Sequence, residues 1–277
     1  GRQQRRVAAI PELHSDVRDA SLPGVLLTVA IFIQPHQVAD RRRSEAGGHD
    51  VELAVDIVAG PVCPHIQALL IGPGLGQAPE TVAFITTLFG GRSEKRAAGF
   101  LAQKQGEPSP PSSRLDLPLV MDADGLNILS QFPNWAEMLP KGTILTPHPG
   151  EMARLTGKSP AEIQVNRWQT ARDCAAAWGH IVVLKGAFTV IAAPDGRTVM
   201  LPFANPGLAS AGTGDVLAGT IVGLRAQGLS AFEAAATGAY IHGVAGEIAR
   251  EAHGETGITA QDVARVLPDA LKRLRGR

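Results

Sequence analysis

Cysteine is scarce: Cys63 and Cys174 are the two in 277 residues. That is too few for a disulfide framework, and the pair lacks the spacing of a metal site. A reducing cytoplasm is the compartment this suggests. Net charge is missing too. The 26 basic side chains balance 26 acidic ones, so neither a nucleic acid nor an acidic membrane surface is an expected partner. No uninterrupted apolar run approaches the roughly 20 residues of a membrane span. The basic opening, GRQQRRVAAIPELHSD, is not followed directly by the apolar stretch of a signal peptide. It also lacks an initiator Met, which fits a fragment or a processed chain. There is no internal repeat and no convincing second domain.

What is present is apolar and well punctuated. Apolar residues make up 44%, enough for a sizeable core, and the length suits one large α/β domain or two small ones. GVLLTVAIFI (residues 24–33) reads as one buried strand, and ADRRRSEAGGHD (39–50) as a polar loop. From Ala68 the pattern sharpens. ALLIGPGLG is a strand stopped by Gly and Pro, and PETVAFITTLF is a helix with Pro in its first turn. The Pro/Ser-rich stretch 102–118 predicts a mobile loop. LVMDAD and GTILTPH are two further strands with polar ends. One helix over 161–179 leads into the strand IVVLKG, and TVIAAPDGRTVMLPF alternates around Asp195 and Gly196 as a hairpin. Three helices close the chain: one after GTGD, one over 231–251 and one over 259–275. Alternating strands and helices, with polar residues at strand ends, indicate a mainly parallel sheet covered by helices. Ligands of such sheets bind at the carboxyl edge of the strands.

Five stretches have residues suited to chemistry. In SAGTGDVLAG, glycines at 212 and 214 let successive N–H groups point into one concavity at a helix N-terminus, a setting for phosphate. Asp215 falls in the first turn of that helix. A carboxylate beside an anion site suits a base that takes the proton of an attacking hydroxyl; an equal alternative is that it serves only the helix dipole. No Gly-Lys-Ser/Thr follows, so this is not a Walker loop. VVLKGAFTVI puts Lys185 at a strand end, within reach of nucleotide phosphates or simply in solvent. LTPHPGEMARLTG keeps His148 extended between two prolines, either facing a cleft or standing in a turn before a helix whose dipole Glu151 suits. In VMDADGLNIL, Asp124 is a candidate helix cap and Asp122 a candidate ligand of Mg²⁺ through water. GPGLGQ lets a ligand approach the backbone.

In this order, GPGLG, DADGLN, TPHPGE, LKGAFTVI and NPGLASAGTGDVLAG closely resemble the NAD(P)H-hydrate dehydratases of the ribokinase-like superfamily. The resemblance continues through AAATGAYIHGVAGEIA. GTGD is shared with several kinases of that superfamily, whereas TPHPGE together with NPGLASAGTGD is more specific. The resemblance implies a ribokinase-like three-layer α/β/α sandwich with a mainly parallel central sheet. Residues 61–277 would be that domain, and residues 1–60 match it poorly: a Gly/Ser-rich segment usual in the family is not found there. The implied reaction uses ADP as co-substrate to phosphorylate the hydroxyl of NADHX or NADPHX, then eliminates phosphate to restore the dihydropyridine. ATP is the alternative phosphoryl donor. By resemblance, Asp215 is the base and Gly212, Thr213 and Gly214 form an anion hole. Lys185, Gly186, Ala187, Phe188 and Thr189 line the nucleotide site with Gly214. Gly74, Gly76, His148 and Asp215 contact the hydrate. Mg²⁺ is implied, with its ligands unassigned, as is a homo-oligomer, a tetramer in related enzymes. Two other readings stand beside this one: a small-molecule kinase of the superfamily that stops at the phosphorylated product, and a nucleotide-binding homologue without catalysis.

Overall fold

The structure, a computed structural model, describes residues 66–89 and 117–275. The strand expected at 24–33, the polar loop at 39–50 and nearly all of the Pro/Ser-rich stretch lie outside the described residues. Six strands form one sheet in chain order: β1 (Leu69–Ile71), β2 (Leu119–Met121), β3 (Ile144–Leu145), β4 (Ile181–Leu184), β5 (Val190–Ala192) and β6 (Thr198–Met200). β1 to β4 are parallel; β5 and β6 turn back as an antiparallel hairpin. The turn falls where Asp195 and Gly196 predict it, with Gly196 at φ 89°.

The strands are nearly all apolar because both sheet faces are covered. The register puts Leu69, Ile71, Leu119, Met121, Leu145, Val182, Leu184, Val190 and Ala192 on one face. There they meet helix α1 (Pro79–Phe89) through Phe84, Ile85 and Leu88. They also meet α6 (Arg167–Trp178) through Ala171, Cys174 and Ala175. On the other face Leu70, Val120, Ile144, Ile181, Val183 and Ile191 pack against α7 (Thr213–Ala226) and α8 (Ala231–His253), through Leu217, Ile221 and Phe232. The result is the three-layer α/β/α sandwich.

Shorter helices lie between these: α2 (Ala123–Leu129), α3 (Trp135–Met138), α4 (Pro149–Thr156) and α5 (Pro160–Val165). The last two are α9 (Ala260–Arg265) and α10 (Leu267–Leu274). Two expected helices are each split. The one over 161–179 breaks at Asn166, which leaves helical conformation at φ −139° and ψ 55°; asparagine competes with the helix for backbone hydrogen bonds. The one over 259–275 breaks at Val266, where Pro268 has no N–H for a continuing ladder. The helix expected over 231–251 runs on to His253, stopping at Gly254.

Candidate active site

Because β1 to β4 run parallel, their carboxyl ends share one edge. Gly72, Asp122, His148 and Lys185 all follow strands there, as their recurrence at polar strand ends predicts. The Lys185 N–H donates to the Pro147 carbonyl (2.9 Å), which ties the TPH segment to the end of β4. Gly72 and Gly125 serve the fold at this edge. A Cβ on Gly72 would stand 1.7 Å from the Asp122 carbonyl oxygen, and one on Gly125 would meet the Ile71 carbonyl at 3.1 Å. Only without side chains do the end of β1 and the start of α2 pack this closely.

Asp122, at 1% exposure, is the most enclosed carboxylate of the site. Its Oδ1 accepts a 2.6 Å hydrogen bond from Lys185 Nζ, while its Oδ2 is buried with no partner. Glu151 Oε2 lies 3.7 Å from the same ammonium. Burial pushes the Glu151 carboxyl above the usual range, and Lys185 opposes that rise. Lys185 is thus held between two carboxylates, with its side chain 16% exposed, instead of ranging through solvent. Asp122, not Asp124, occupies the N-cap position of α2, without a side-chain hydrogen bond to the helix. Asp124 has other partners: its carboxylate accepts from the Gly76 N–H (2.9 Å) and Gln77 Nε2 (3.0 Å).

His148 caps α4. Its Nδ1 accepts from the N–H groups of Gly150 (2.9 Å) and Glu151 (3.3 Å). Glu151 reaches back to the His148 N–H (2.7 Å), completing a capping box. An accepting Nδ1 leaves the ring proton on Nε2. Half of the side chain remains exposed at the ligand edge, with Nε2 3.4 Å from Glu151 Oε1, so His148 is a cap whose remaining N–H stands beside that carboxylate.

The GTGD segment meets this cluster from the other side. Gly212, left-handed at φ 84°, is the N-cap of α7. Gly214 lies within the helix, not in the left-handed turn that its residue type suggests, and a Cβ there would approach Lys185 Nζ to 3.5 Å. The Thr213 N–H donates to the Ser210 carbonyl (3.3 Å) and the Asp215 N–H to the Gly212 carbonyl (3.1 Å). The concavity of free N–H groups is therefore partly closed by the chain itself. Thr213 turns its hydroxyl inward, 2.6 Å from the Leu208 carbonyl and 2.8 Å from that of Ser210. Asp215 is exposed. Desolvation by the surrounding protein raises its pKa, Asp122 raises it further, and Lys185 pulls it down.

The loop after β4 is fastened by its own hydrogen bonds. Gly186 sits at φ 139° and Phe188 at φ 54°, the latter uncommon for an aromatic residue. The Phe188 N–H donates to the Phe203 carbonyl (2.7 Å), and Thr189 Oγ1 to that of Gly186 (2.9 Å). The Ala187 and Phe188 side chains are exposed.

The family model described as NAD(P)H-hydrate dehydratase matches residues 26–269. The chain belongs to the NAD(P)H-hydrate dehydratase family. The ADP-dependent (S)-NAD(P)H-hydrate dehydratase of Neisseria meningitidis is 44% identical over 202 residues, covering 72% of this chain and 61% of that protein. The bifunctional NAD(P)H-hydrate repair enzyme Nnr of Moorella thermoacetica is 41% identical over 210 residues, or 76% of this chain. The chain spans only 35% of that relative's length. The crystal structure of the ADP/ATP-dependent NAD(P)H-hydrate dehydratase from Bacillus subtilis, co-crystallized with ATP/Mg²⁺, matches with a TM-score of 0.60 at 28% identity. The match covers 82% of this chain and 76% of that one.

Within this dehydratase-family fold, two site residues escape sequence reading. Arg167, at the start of α6, donates through Nη2 to the carbonyls of Leu184 (2.9 Å) and Lys185 (3.3 Å). A Cβ on Gly186 would come within 2.8 Å of its Nη1, but that mobile end can shift; the backbone at φ 139° is what calls for glycine after the lysine. His242, in α8, is buried with Nε2 2.9 Å from the Thr213 carbonyl. Residue chemistry along the chain marks neither; the resemblance through AAATGAYIHGVAGEIA includes His242 but gives it no role. Among the described residues, no three His, Cys, Asp or Glu side chains converge as a metal cage. Mg²⁺ commonly uses only one or two carboxylates besides waters and phosphate oxygens. Asp122, with its orphaned Oδ2, and Glu151 suit that role. No helix among the described residues is long and apolar enough to cross a membrane.

Proposed function

We propose that this chain dehydrates the hydrated forms of NADH and NADPH, consuming ADP and releasing AMP and phosphate. One observation carries the reading: Lys185, two carboxylates and the Asp215-bearing start of α7 converge on one edge of a dehydratase-family sheet. Hydroxide is a poor leaving group and phosphate a good one, so phosphorylation must come first. Asp215 accepts the proton of the substrate hydroxyl as its oxygen attacks the transferred phosphoryl group. AMP leaves, and loss of phosphate with a ring proton then restores the dihydropyridine. The raised pKa of Asp215 favours such a base. Lys185 and the dipole at the start of α7 favour the charge on the transferred group. Gly212, Thr213 and Gly214 bring the backbone close to that group. Lys185 to Thr189 border the nucleotide, while Gly74, Gly76 and His148 border the hydrate, His148 through its Nε2–H. Mg²⁺ bound by Asp122 and Glu151 through water would neutralise phosphate charge.

Residues 61–277 are the proposed functional unit, acting in the cytoplasm as a homo-oligomer. The Neisseria relative is ADP-dependent and the Bacillus one ADP/ATP-dependent, which supports ADP as the donor here with ATP as a second choice. The deciding experiment incubates the chain with NADHX, Mg²⁺ and either ADP or ATP. Recovery of dihydropyridine absorbance with stoichiometric AMP is expected. A stable phosphorylated product would instead make the chain a kinase. Nucleotide binding with no turnover would make it a non-catalytic homologue.

A further inference from the structure

The stretch TGAYIHGVAGE contributes no residue to the mechanism above, yet eight of its eleven positions are buried. Its glycines explain how it packs. A Cβ on Gly238 would stand 2.7 Å from Ile221 of α7, one on Gly243 2.2 Å from the Phe203 ring, and one on Gly246 2.7 Å from Leu208. Without those side chains α8 lies directly against α7 and against the segment that leads to GTGD. Asn205 fastens the same contact by donating from Nδ2 to the Gly246 carbonyl (2.9 Å).

His242 stands on this closely packed face at 7% exposure. Its Nε2 is 2.9 Å from the carbonyl of Thr213, the first residue of α7. A carbonyl only accepts, so Nε2 carries the hydrogen. Burial holds the ring neutral, its pKa pushed down to about 4, and the Thr213 carbonyl beside Nε2 selects the Nε2–H tautomer. Thr213 is thereby held at three atoms. Its hydroxyl bonds to the carbonyls behind it, its N–H to Ser210, and its carbonyl to a different helix. The next two residues are Gly214, beside Lys185 Nζ, and Asp215.

We propose that His242 is a positioning residue: through the Thr213 carbonyl it fixes the first turn of α7 and so the aim of Asp215. It touches neither nucleotide nor hydrate. The functional part of this inference rests on the dehydratase reading given above; the structural part does not.

Three variants test it. His242→Leu keeps apolar bulk and removes the donor. His242→Gln restores an amide N–H at similar reach, and His242→Asn carries one too short to reach. The first readout is amide hydrogen exchange across residues 210–217. One buried hydrogen bond is worth about a factor of five to ten in local opening. Exchange should therefore speed up about that much in the Leu and Asn variants and return close to normal in the Gln variant. The second readout is turnover of NADHX with ADP. kcat should fall about tenfold or more in the Leu and Asn variants, with the KM for ADP within about twofold, and recover in the Gln variant. Unchanged exchange at 210–217 in a folded Leu or Asn variant overturns the proposal, as does equal impairment of Gln and Leu. If unmodified protein fails to turn over NADHX, the dehydratase reading has failed; the exchange result still judges the pin. Should the Leu variant not fold, the Asn and Gln pair gives the same decision.

Discussion

Removing the Lys185 ammonium tests how the site is held together. Lys185→Met keeps the length of the side chain and deletes its charge. Asp122 is 1% exposed, its Oδ1 loses a 2.6 Å partner, and its Oδ2 already has none. Glu151 loses a charge at 3.7 Å. At an effective dielectric of about 20, the closer pair alone attracts with roughly 6 kcal/mol, a gross figure offset by the cost of burying both ions. Breaking such a pair from one side typically costs about 3–5 kcal/mol, because a buried charge is left uncompensated. We expect a loss in that range. The loss should depend on pH in a definite sense. Burial raises the Glu151 pKa in the folded protein, and Lys185 is the first influence opposing the rise. Without Lys185 the folded value climbs further above the unfolded one. A carboxyl shifted upward contributes stability at low pH and loses it as pH rises through the folded value. The variant's deficit should therefore be smaller near about pH 5 than near about pH 8. Adding Asp122→Asn should recover part of it. Urea denaturation of the three proteins at both pH values measures this. A deficit below about 1 kcal/mol, the scale of a surface ion pair, and flat with pH, would refute the argument.

Asp215→Asn removes the proposed base at constant shape. Turnover per folded molecule should fall at least about a hundredfold with nucleotide affinity nearly unchanged, whereas a carboxylate that only serves the helix dipole would cost roughly 0.3–1 kcal/mol of stability and little activity. Because the Asp215 pKa is raised, the acid limb of the activity profile should sit above that of an ordinary aspartate and vanish in the Asn variant. His148 and His242 both have lowered pKa values. Each contributes stability above the unfolded histidine value that is lost as pH falls through the folded one, so thermal midpoints should drop between about pH 6.5 and about pH 4; replacing His148 by Phe should remove one contribution and cost about 1 kcal/mol at neutral pH through the lost cap. Gly72→Ala drives a Cβ to 1.7 Å from the Asp122 carbonyl at φ 132°. A loss above about 3 kcal/mol is expected, while Gly76→Ala, with open space around it, should cost about 1 kcal/mol from its left-handed backbone.

Sequence alone determined the strands from Ala68 onward, their mainly parallel arrangement and the edge where chemistry gathers. Short apolar runs stopped by Gly, Pro or Asp leave little choice between strand and helix, and parallel strands must release their polar ends together. The hairpin at Asp195 and Gly196 was legible because its turn chemistry is local. So was the start of α7, where Gly212 adopts the left-handed cap its position predicts. Tertiary structure decided the rest. It split the helices at Asn166 and Val266, boundaries that apolar periodicity passes over. It took Lys185 out of solvent and set it on Asp122, 63 residues away. It made His148 a cap, put Asp122 rather than Asp124 at the start of α2, and assigned Gly72 and Gly125 to packing. Arg167 and His242 reach the site from helices remote from it along the chain, where nothing local pairs either side chain with its carbonyl acceptor. Pattern along a chain reports what each residue's immediate neighbours permit. A buried donor or charge is matched to its partner only where the sheet and its two helical layers close around both, because only there has water been excluded and an unpaired group become costly.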